Sequence, residues 1–414
     1  MNYKNRHLEV KLQIYSDTFP ALLLTGARQV GKSTLLKHVF GNSAKTIVFD
    51  PIIDIHNVRQ DPEFFLKQFS PPLILDEIQY APELLPLLKR KIDEDPHPGQ
   101  YFLTGSQNLA LINNISESMA GRVVCLNLWN MTHAEISGSG SLPSHTWTEL
   151  ILKPLNEIDP EQFQRTPTDK SIFTLLWRGG YPGILDLSNN ILFDVFQSYV
   201  RTYIERDIRR IAEVSDQQIF TRFVSLCAAL TAQEINYSQL GRELGLTPQT
   251  ANRWLQILKA TYQWIEIPPY SGNTIKRLSG KPKGYFTDTG LAAHLQRISS
   301  PETLSGHPLL GALFETFIIM EIHKRFAAAS QTPNFYHWRT HAGAEVDLIM
   351  EIDGIFRPFE IKCKSSISIT DARGIMQFRK TYPKLRHGPA FIIAVVDKAF
   401  RLADDIFVIP FDCT

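Results

Sequence analysis

The chain has 414 residues with 43 Lys and Arg against 42 Asp and Glu, and its net charge of +1 excludes a protein that coats nucleic acid through overall charge. With 43% hydrophobic and 21% charged residues it is an ordinary globular sequence rather than a disordered one, long enough for two to four domains, each burying its own core. Cys125, Cys227, Cys363 and Cys413 stand far apart without a CxxC pair, and no histidines sit at zinc spacing, so neither a disulfide framework nor a structural zinc is expected.

Residues 1–17 carry charges throughout and do not read as a signal peptide. Apolar runs such as 391–396 fall far short of the ~20 residues a membrane span requires. A cytoplasmic protein with no membrane partner is therefore expected. Short apolar runs at 21–25, 46–50, 72–76 and 100–104 alternate with helical patterns and read as buried parallel strands of an α/β sheet. The Ser/Gly tract 137–144 reads as a linker or loop tip. Helical patterns follow, including 192–214, then a helix-turn-helix over 236–288 that runs into a Pro/Gly-rich stretch. The last part opens with a helix over 309–326 and continues with strands at 345–352, 355–362 and 390–396.

The strongest local signal is Gly26-Ala27-Arg28-Gln29-Val30-Gly31-Lys32-Ser33-Thr34, which satisfies GxxxxGK[ST] between an apolar strand and an amphipathic helix over 35–40. Glycines let the backbone curl so that its N–H groups converge on a β-phosphate, and the helix N-terminus adds positive potential. Lys32 would reach the β and γ oxygens of ATP, and the Ser33 hydroxyl would sit on Mg²⁺.

Downstream, Leu73-Ile74-Leu75-Asp76-Glu77 is a buried strand with an acidic tip: Asp76 would hold Mg²⁺, directly or through water, and Glu77 would polarise the attacking water. A Glu directly after the Asp favours hydrolysis over nucleotide storage. The next strand ends in Thr104-Gly105-Ser106, and either Thr104 or Ser106 would hydrogen-bond the lytic water or the γ-phosphate. Arg122 stands where a neighbouring subunit of a homo-oligomer would present it to the γ-phosphate; pairing with a carboxylate is the equal alternative.

GARQVGKST, LILDEIQ, FLTGSQN, SMAGR, RGGYPG (178–183) and TYIERDI (202–208) occur in this order. Together they resemble a prokaryotic family of AAA-superfamily ATPases whose C-terminal portion is a restriction-endonuclease-like, PD-(D/E)xK domain. The resemblance runs over nearly the whole chain. It implies an α/β protein with a P-loop AAA-type ATPase core (1–135), a linker and helical lid (136–234), a winged helix-turn-helix (235–290) and a restriction-endonuclease-like α/β domain (300–414), active or degenerate. Arg201, Arg206, Arg209 and Arg210 offer a lid arginine, or alternatively pair with Glu205 and Asp207.

In the helix-turn-helix, Thr247 is the expected N-cap and Pro248 the first residue of the second helix. Ala251, Trp254, Leu255 and Leu258 recur at i, i+3, i+4 and i+7 and form its buried face. The opposite face carries Gln249, Asn252, Arg253, Gln256 and Lys259, side chains able to read base edges in a major groove. Lys276, Arg277, Lys281 and Lys283 follow as a wing. Residues 236–286 hold seven Lys/Arg against two Glu, a local excess suited to DNA or RNA. The alternative is a packing or subunit-interface module.

Near the end, Glu345, Asp347 and Ile349 share one strand face, and Glu360, Lys362 and Lys364 share a face of the partner strand beyond the Asp353-Gly354 turn. Asp followed by Glu-x-Lys is the pattern of restriction-endonuclease-like metal nucleases. Asp347 and Glu360 would hold Mg²⁺, Lys362 would stabilise charge on the scissile phosphate, and Glu315 on the preceding helix matches a further acid. The alternative is a β-hairpin laced with cross-strand ion pairs. His337 and His341 have no ligand spacing, and Trp338 is expected to pack. Three readings follow: an ATPase coupled to nucleic-acid binding or cleavage, a signalling ATPase with protein-binding scaffolds, and a P-loop phosphotransferase, which Asp76-Glu77 disfavours.

Overall fold

The computed structural model describes residues 3–49, 55–105, 119–140, 145–166, 168, 170–203, 216–273, 275, 277, 280–329 and 331–413. Ser106, Lys276, Arg206, Arg209 and Arg210 lie outside them.

The N-terminal part runs α1 (Leu8–Ser16), β1 (Ala21–Thr25), α2 (Lys32–Phe40), β2 (Lys45–Val48), α3 (Ile55–Gln60), α4 (Pro62–Lys67), β3 (Leu73–Asp76), α5 (Leu84–Glu94), β4 (Tyr101–Gly105) and β5 (Val123–Asn127). The five strands form a parallel sheet of order β2-β3-β4-β1-β5, with Ala21 opposite both Tyr101 and Val123. β1, β3 and β4 are buried along their whole length because helices cover both faces, which is why they read as continuous apolar runs. All strands point the same way, so Thr25, Asp76, Gly105 and Asn127 gather at one edge.

Then come α6 (His133–Ile136), α7 (His145–Leu152), α8 (Ile172–Arg178) and α9 (Asn189–Tyr199). The tract expected as a linker is packed where it begins: a Cβ on Gly140 would stand 1.9 Å from the Asn5 carbonyl oxygen. The next unit is α10 (Gln217–Ala229), β6 (Gln233–Glu234), α11 (Tyr237–Arg242), α12 (Pro248–Ala260), β7 (Trp264–Ile267) and β8 (Lys283–Phe286), its strands paired antiparallel in the order β6-β8-β7. Thr247 accepts from the Thr250 N–H, Pro248 opens α12, and Ala251, Trp254, Leu255 and Leu258 are its buried residues. Helices α13 (Thr289–Leu295), α14 (Pro301–Ser305) and α15 (Leu310–Ala328) lead to the C-terminal part. This comprises β9 (Asn334–Arg339), β10 (Glu345–Ile352), β11 (Ile355–Lys362), α16 (Arg373–Thr381), β12 (Arg386–His387), β13 (Ala390–Ala394), β14 (Phe400–Ala403) and β15 (Ile406–Pro410). The sheet has the order β14-β15-β13-β11-β10-β9, with β12 beside β11.

The parts share one large core, with smaller separate clusters on the other face of the N-terminal sheet and around the C-terminal sheet. One buried cluster runs from Leu22 and Leu36 through Trp177, Phe220 and Phe314 to Phe391, while a second, on the other face of the N-terminal sheet, gathers α5 and its neighbours. α15 explains the continuity, since Leu313, Phe314, Ile318, Ile319, Met320 and Ile322 bury it almost all round, and such a helix needs partners on every side. Among the described residues no helix is long and apolar enough to cross a membrane.

Candidate nucleotide site and C-terminal carboxylate cluster

The phosphate loop leaves β1 through Gly26 at φ 145°, where a Cβ would stand 2.1 Å from the Leu128 carbonyl oxygen. Gly31, at φ 94°, caps α2 in the left-handed region that glycine occupies without penalty. The helix therefore begins at Lys32, three residues before the apolar periodicity becomes visible. Lys32 is buried and donates to the carbonyls of Gly26 (3.0 Å) and Ala27 (2.8 Å). Burial lowers its pKa to about 8, against the opposing pull of Glu77 and Asp76.

One hydroxyl–carboxylate chain joins the first turn of α2 to the ends of β3 and β4. Ser33 Oγ donates to Asp76 Oδ1 at 2.7 Å, Thr104 Oγ1 donates to the same oxygen at 2.5 Å, and the Glu77 N–H donates to Thr104 Oγ1 at 2.9 Å. Glu77 itself adopts φ 59°, and its carboxylate accepts from the Gln79 amide. The Ser33 hydroxyl and Asp76 carboxylate on one bond suit a hard divalent cation, so the donor set fits Mg²⁺.

A cavity of about 780 Å³ opens beside this chain, lined by Gln29, Lys32, Ser33, Glu77 and Tyr80 and also by residues given no role in the sequence reading: Tyr3, Arg6, Pro182 and Gly183. Arg6 is buried and fastens the loop, donating to Val30 O (2.9 Å) and Trp129 O (2.7 Å) while pairing with Glu135 at 3.1 Å. Nothing in its surroundings in sequence marks it. Pro182 and Gly183 belong to RGGYPG, whose glycines now have a reason. A Cβ on Gly179 (φ 72°) would meet Asp288 Oδ1 at 2.2 Å, and Asp288 accepts from the Gly180 N–H (2.8 Å) and from Asn130.

Arg122 is not brought to this edge. It immediately precedes β5, at the opposite end of the sheet from the loop, and its guanidinium pairs with Asp93 at 2.6 Å. Arg201 is exposed.

In the helix-turn-helix unit Gln249, Asn252, Arg253 and Gln256 face outward, and Lys259 pairs with Glu266 at 2.8 Å. Of the three described wing cations, two are partly buried. Arg277 lies over the Tyr270 ring at 4.5 Å, Lys283 is paired with carboxylates, and Lys281 is exposed. The His337 ring lies 3.1 Å from the Lys281 carbonyl oxygen, His341 is exposed, and Trp338 packs against Phe378.

In the C-terminal sheet Asp347, Glu360 and Lys362 do come together, with Glu315 on their flank. Lys362 Nζ lies 2.7 Å from Glu360 Oε2 and 3.6 Å from Asp347 Oδ2, the oxygen that also accepts from the Ile361 N–H at 2.8 Å. Lys283 Nζ lies 2.6 Å from Glu315 Oε1 and 3.7 Å from Asp347 Oδ1. Burial, with Asp347 nearby, raises Glu315 to about 7. Burial and Asp347 also raise Glu360, whereas Asp347 and Glu360 overcome burial to hold the Lys362 ammonium above its usual range. Among the described residues no group of three or more His, Cys, Asp or Glu side chains is arranged to hold a metal ion. With each acid turned onto an ammonium, the set Glu315, Asp347 and Glu360 does not fit Mg²⁺ in this arrangement.

Residues 18–137 match the family model of an AAA domain, residues 169–302 that of a domain of unknown function (DUF8612), and residues 310–414 that of a second one (DUF4143). Two uncharacterized proteins, Rv2008c of Mycobacterium tuberculosis and Mb2031c of Mycobacterium bovis, are each 29% identical over 395 residues, spanning 95% of this chain and 80% of their own. Among solved structures, the Walker-type ATPase PABY2304 of Pyrococcus abyssi is similar with a TM-score of 0.41 and 18% identity, over 72% of this chain and 99% of that one. The RuvB Holliday junction branch migration motor of Thermotoga maritima gives a TM-score of 0.29 and 15% identity, over 63% and 89%.

Proposed function

We propose that the AAA-type domain of residues 18–137 binds and hydrolyses Mg-ATP and passes its nucleotide state to the helix-turn-helix unit. The observation that carries this reading is the convergence of the glycine-bent loop, buried Lys32 and the Ser33–Asp76–Thr104 chain at one sheet edge, with Glu77 beside it. Backbone N–H groups at the start of α2 face the β-phosphate. Lys32 exchanges its two carbonyl acceptors for phosphoryl oxygens, whose negative charge attracts the ammonium more strongly. Ser33 and, directly or through water, Asp76 would hold Mg²⁺, which would supply positive charge to the phosphoryl groups when bound. Glu77 polarises the attacking water, and Thr104 fixes Asp76 and the Glu77 backbone relative to each other. Tyr3 and Tyr80 give the cavity aromatic walls for the base. The test is phosphate release with Mg-ATP against Glu77→Gln and Lys32→Ala. The reading requires both to lose turnover and only the second to lose nucleotide affinity.

The finer part of the proposal is that the outward face of α12, with Gln249, Asn252, Arg253 and Gln256, engages DNA or RNA as the reading helix of a winged helix. Its support is the order helix–strand–helix–helix–hairpin and the exposure of those four side chains. Measuring DNA and RNA binding against salt, with Arg253→Ala and Gln249→Ala, tests it. One observation favours the second reading, a protein-directed switch: Arg277 and Lys283 are spent on internal contacts, which thins the basic surface a nucleic acid would need. In the C-terminal cluster the acids are paired with Lys283 and Lys362 and, as arranged, offer no open seat for a metal that would support cleavage.

A further inference from the structure

We infer that Lys283 is the resident cation of the C-terminal carboxylate cluster, an ion-pair latch that fastens the β8 hairpin to the C-terminal domain and keeps divalent cations out. Lys283 would hold this place whether or not α12 binds nucleic acid.

The latch is built by strand geometry. Lys283 and Tyr285 are two residues apart on β8 and therefore project on the same side. Both hold one oxygen: Lys283 Nζ is 2.6 Å from Glu315 Oε1, and Tyr285 Oη donates to that same atom at 2.8 Å. Gly284, between them, faces the other way, where a Cβ would stand 1.9 Å from the Trp264 indole; the register of β8 and the direction of its side chains are thereby fixed. Lys283 has a side chain only 12% exposed, and it reaches past Glu315 to Asp347 at 3.7 Å. Beyond Asp347 the alternation continues through Lys362 to Glu360.

A divalent cation needs several oxygens from such a set, and each acid here already has an ammonium or N–H partner. Adding two positive charges beside two ammoniums, of which Lys283 is largely enclosed, is unfavourable, and removing Lys283 leaves the buried Asp347 and Glu315 short of a partner. The cluster therefore selects the ammonium that the neighbouring unit supplies. Metal entry requires the Lys283 ammonium to withdraw from Glu315 and Asp347. Cavities of about 400 Å³ and 950 Å³ flank the cluster on its two sides, the first lined by Lys283, Glu315 and Glu345 and the second by Glu345, Glu360 and Lys362, so ions reach it from solvent and the ammonium is the barrier.

The experiment uses the nucleotide-free full chain and Mn²⁺ as the probe, read by electron paramagnetic resonance. Lys283→Met should gain one Mn²⁺ site at least tenfold tighter than any in the parent, and Asp347→Asn in that background should abolish it. Lys283→Arg should keep the parent's behaviour. A parent that binds Mn²⁺ at Asp347 as tightly as the Met variant, or a folded Met variant that gains no site, overturns the inference. A second measurement covers a Met variant that does not fold. In the parent, Lys283 should be acetylated at least tenfold more slowly than exposed Lys281, and Glu315→Gln should shrink that difference. Equal labelling of the two lysines in the parent overturns the latch.

Discussion

The Tyr262 hydroxyl, just beyond the end of α12, donates to the Thr25 hydroxyl at 2.7 Å, and Thr25 is the last residue of β1 before the phosphate loop. Tyr262 Oη also reaches Asn127 Oδ1 at 3.1 Å, at the end of β5. The outward-facing helix of the helix-turn-helix unit is thus hydrogen-bonded to two strand ends of the nucleotide domain. Tyr262 makes this contact from φ 60°, a backbone conformation that bulky residues seldom adopt. Tyr262→Phe should cost about 1 kcal/mol of stability, since Thr25 keeps its own bond to Asn127. In hydrogen exchange the variant should lose any ATP-dependent change of protection over 248–260. Retention of that change would place the coupling elsewhere.

Gly179→Ala should be far more damaging than a surface substitution. The added Cβ would collide with the Asp288 carboxylate from a left-handed backbone, displacing the bonds to Gly180 and Asn130 that tie α13 to the segments after α8 and after β5. A loss of roughly 2–4 kcal/mol in denaturant unfolding is expected. A loss under 1 kcal/mol would mean that the junction adjusts freely.

Arg122→Ala should leave the denaturant midpoint nearly unchanged, because its pair with Asp93 is solvent-exposed and screened. Steady-state turnover should stay within twofold of the parent, given the distance from the loop that β5 imposes. A hundredfold fall in phosphate release would instead assign Arg122 to a neighbouring subunit's nucleotide.

Acid should weaken the junction between α6 and the C-terminal part. Burial lowers His133 to about 4, with Asp412 opposing, and neither ring nitrogen has a hydrogen-bond partner among the described residues. Above pH 6.5 the imidazole is neutral in both folded and unfolded chains. As pH falls from 6.5 through 4 the unfolded chain takes up the proton first, so stability drops, by up to about 3 kcal/mol from this residue. His133→Phe should flatten that limb of a thermal-unfolding profile; parallel profiles for variant and parent would rule the residue out.

What could be read from sequence follows from how local each feature is. The phosphate loop, the strand ending at Asp76 and the Thr247–Pro248 helix start are specified by residues adjacent in the chain, and the backbone there follows them. Arg6, Tyr262 and the Lys283–Glu315 pair are made by chain segments distant in sequence, and no pattern announces them. Counting charges over 236–286 treats every cation as exposed, yet Arg277 is stacked on Tyr270 and Lys283 is buried against carboxylates. The continuous core was hidden for a related reason: the all-round apolar pattern of α15 signals burial without naming the partners.

The central claim is tested most directly by comparing nucleotide affinity and phosphate release in Glu77→Gln. Glu77 lines the cavity beside Lys32, and Thr104 holds its backbone in place. Removing only the carboxylate's basicity should leave Mg-ATP affinity within a few-fold of the parent while turnover falls by about 10²–10⁴-fold. Turnover equal to the parent's at unchanged affinity would contradict hydrolysis at this site.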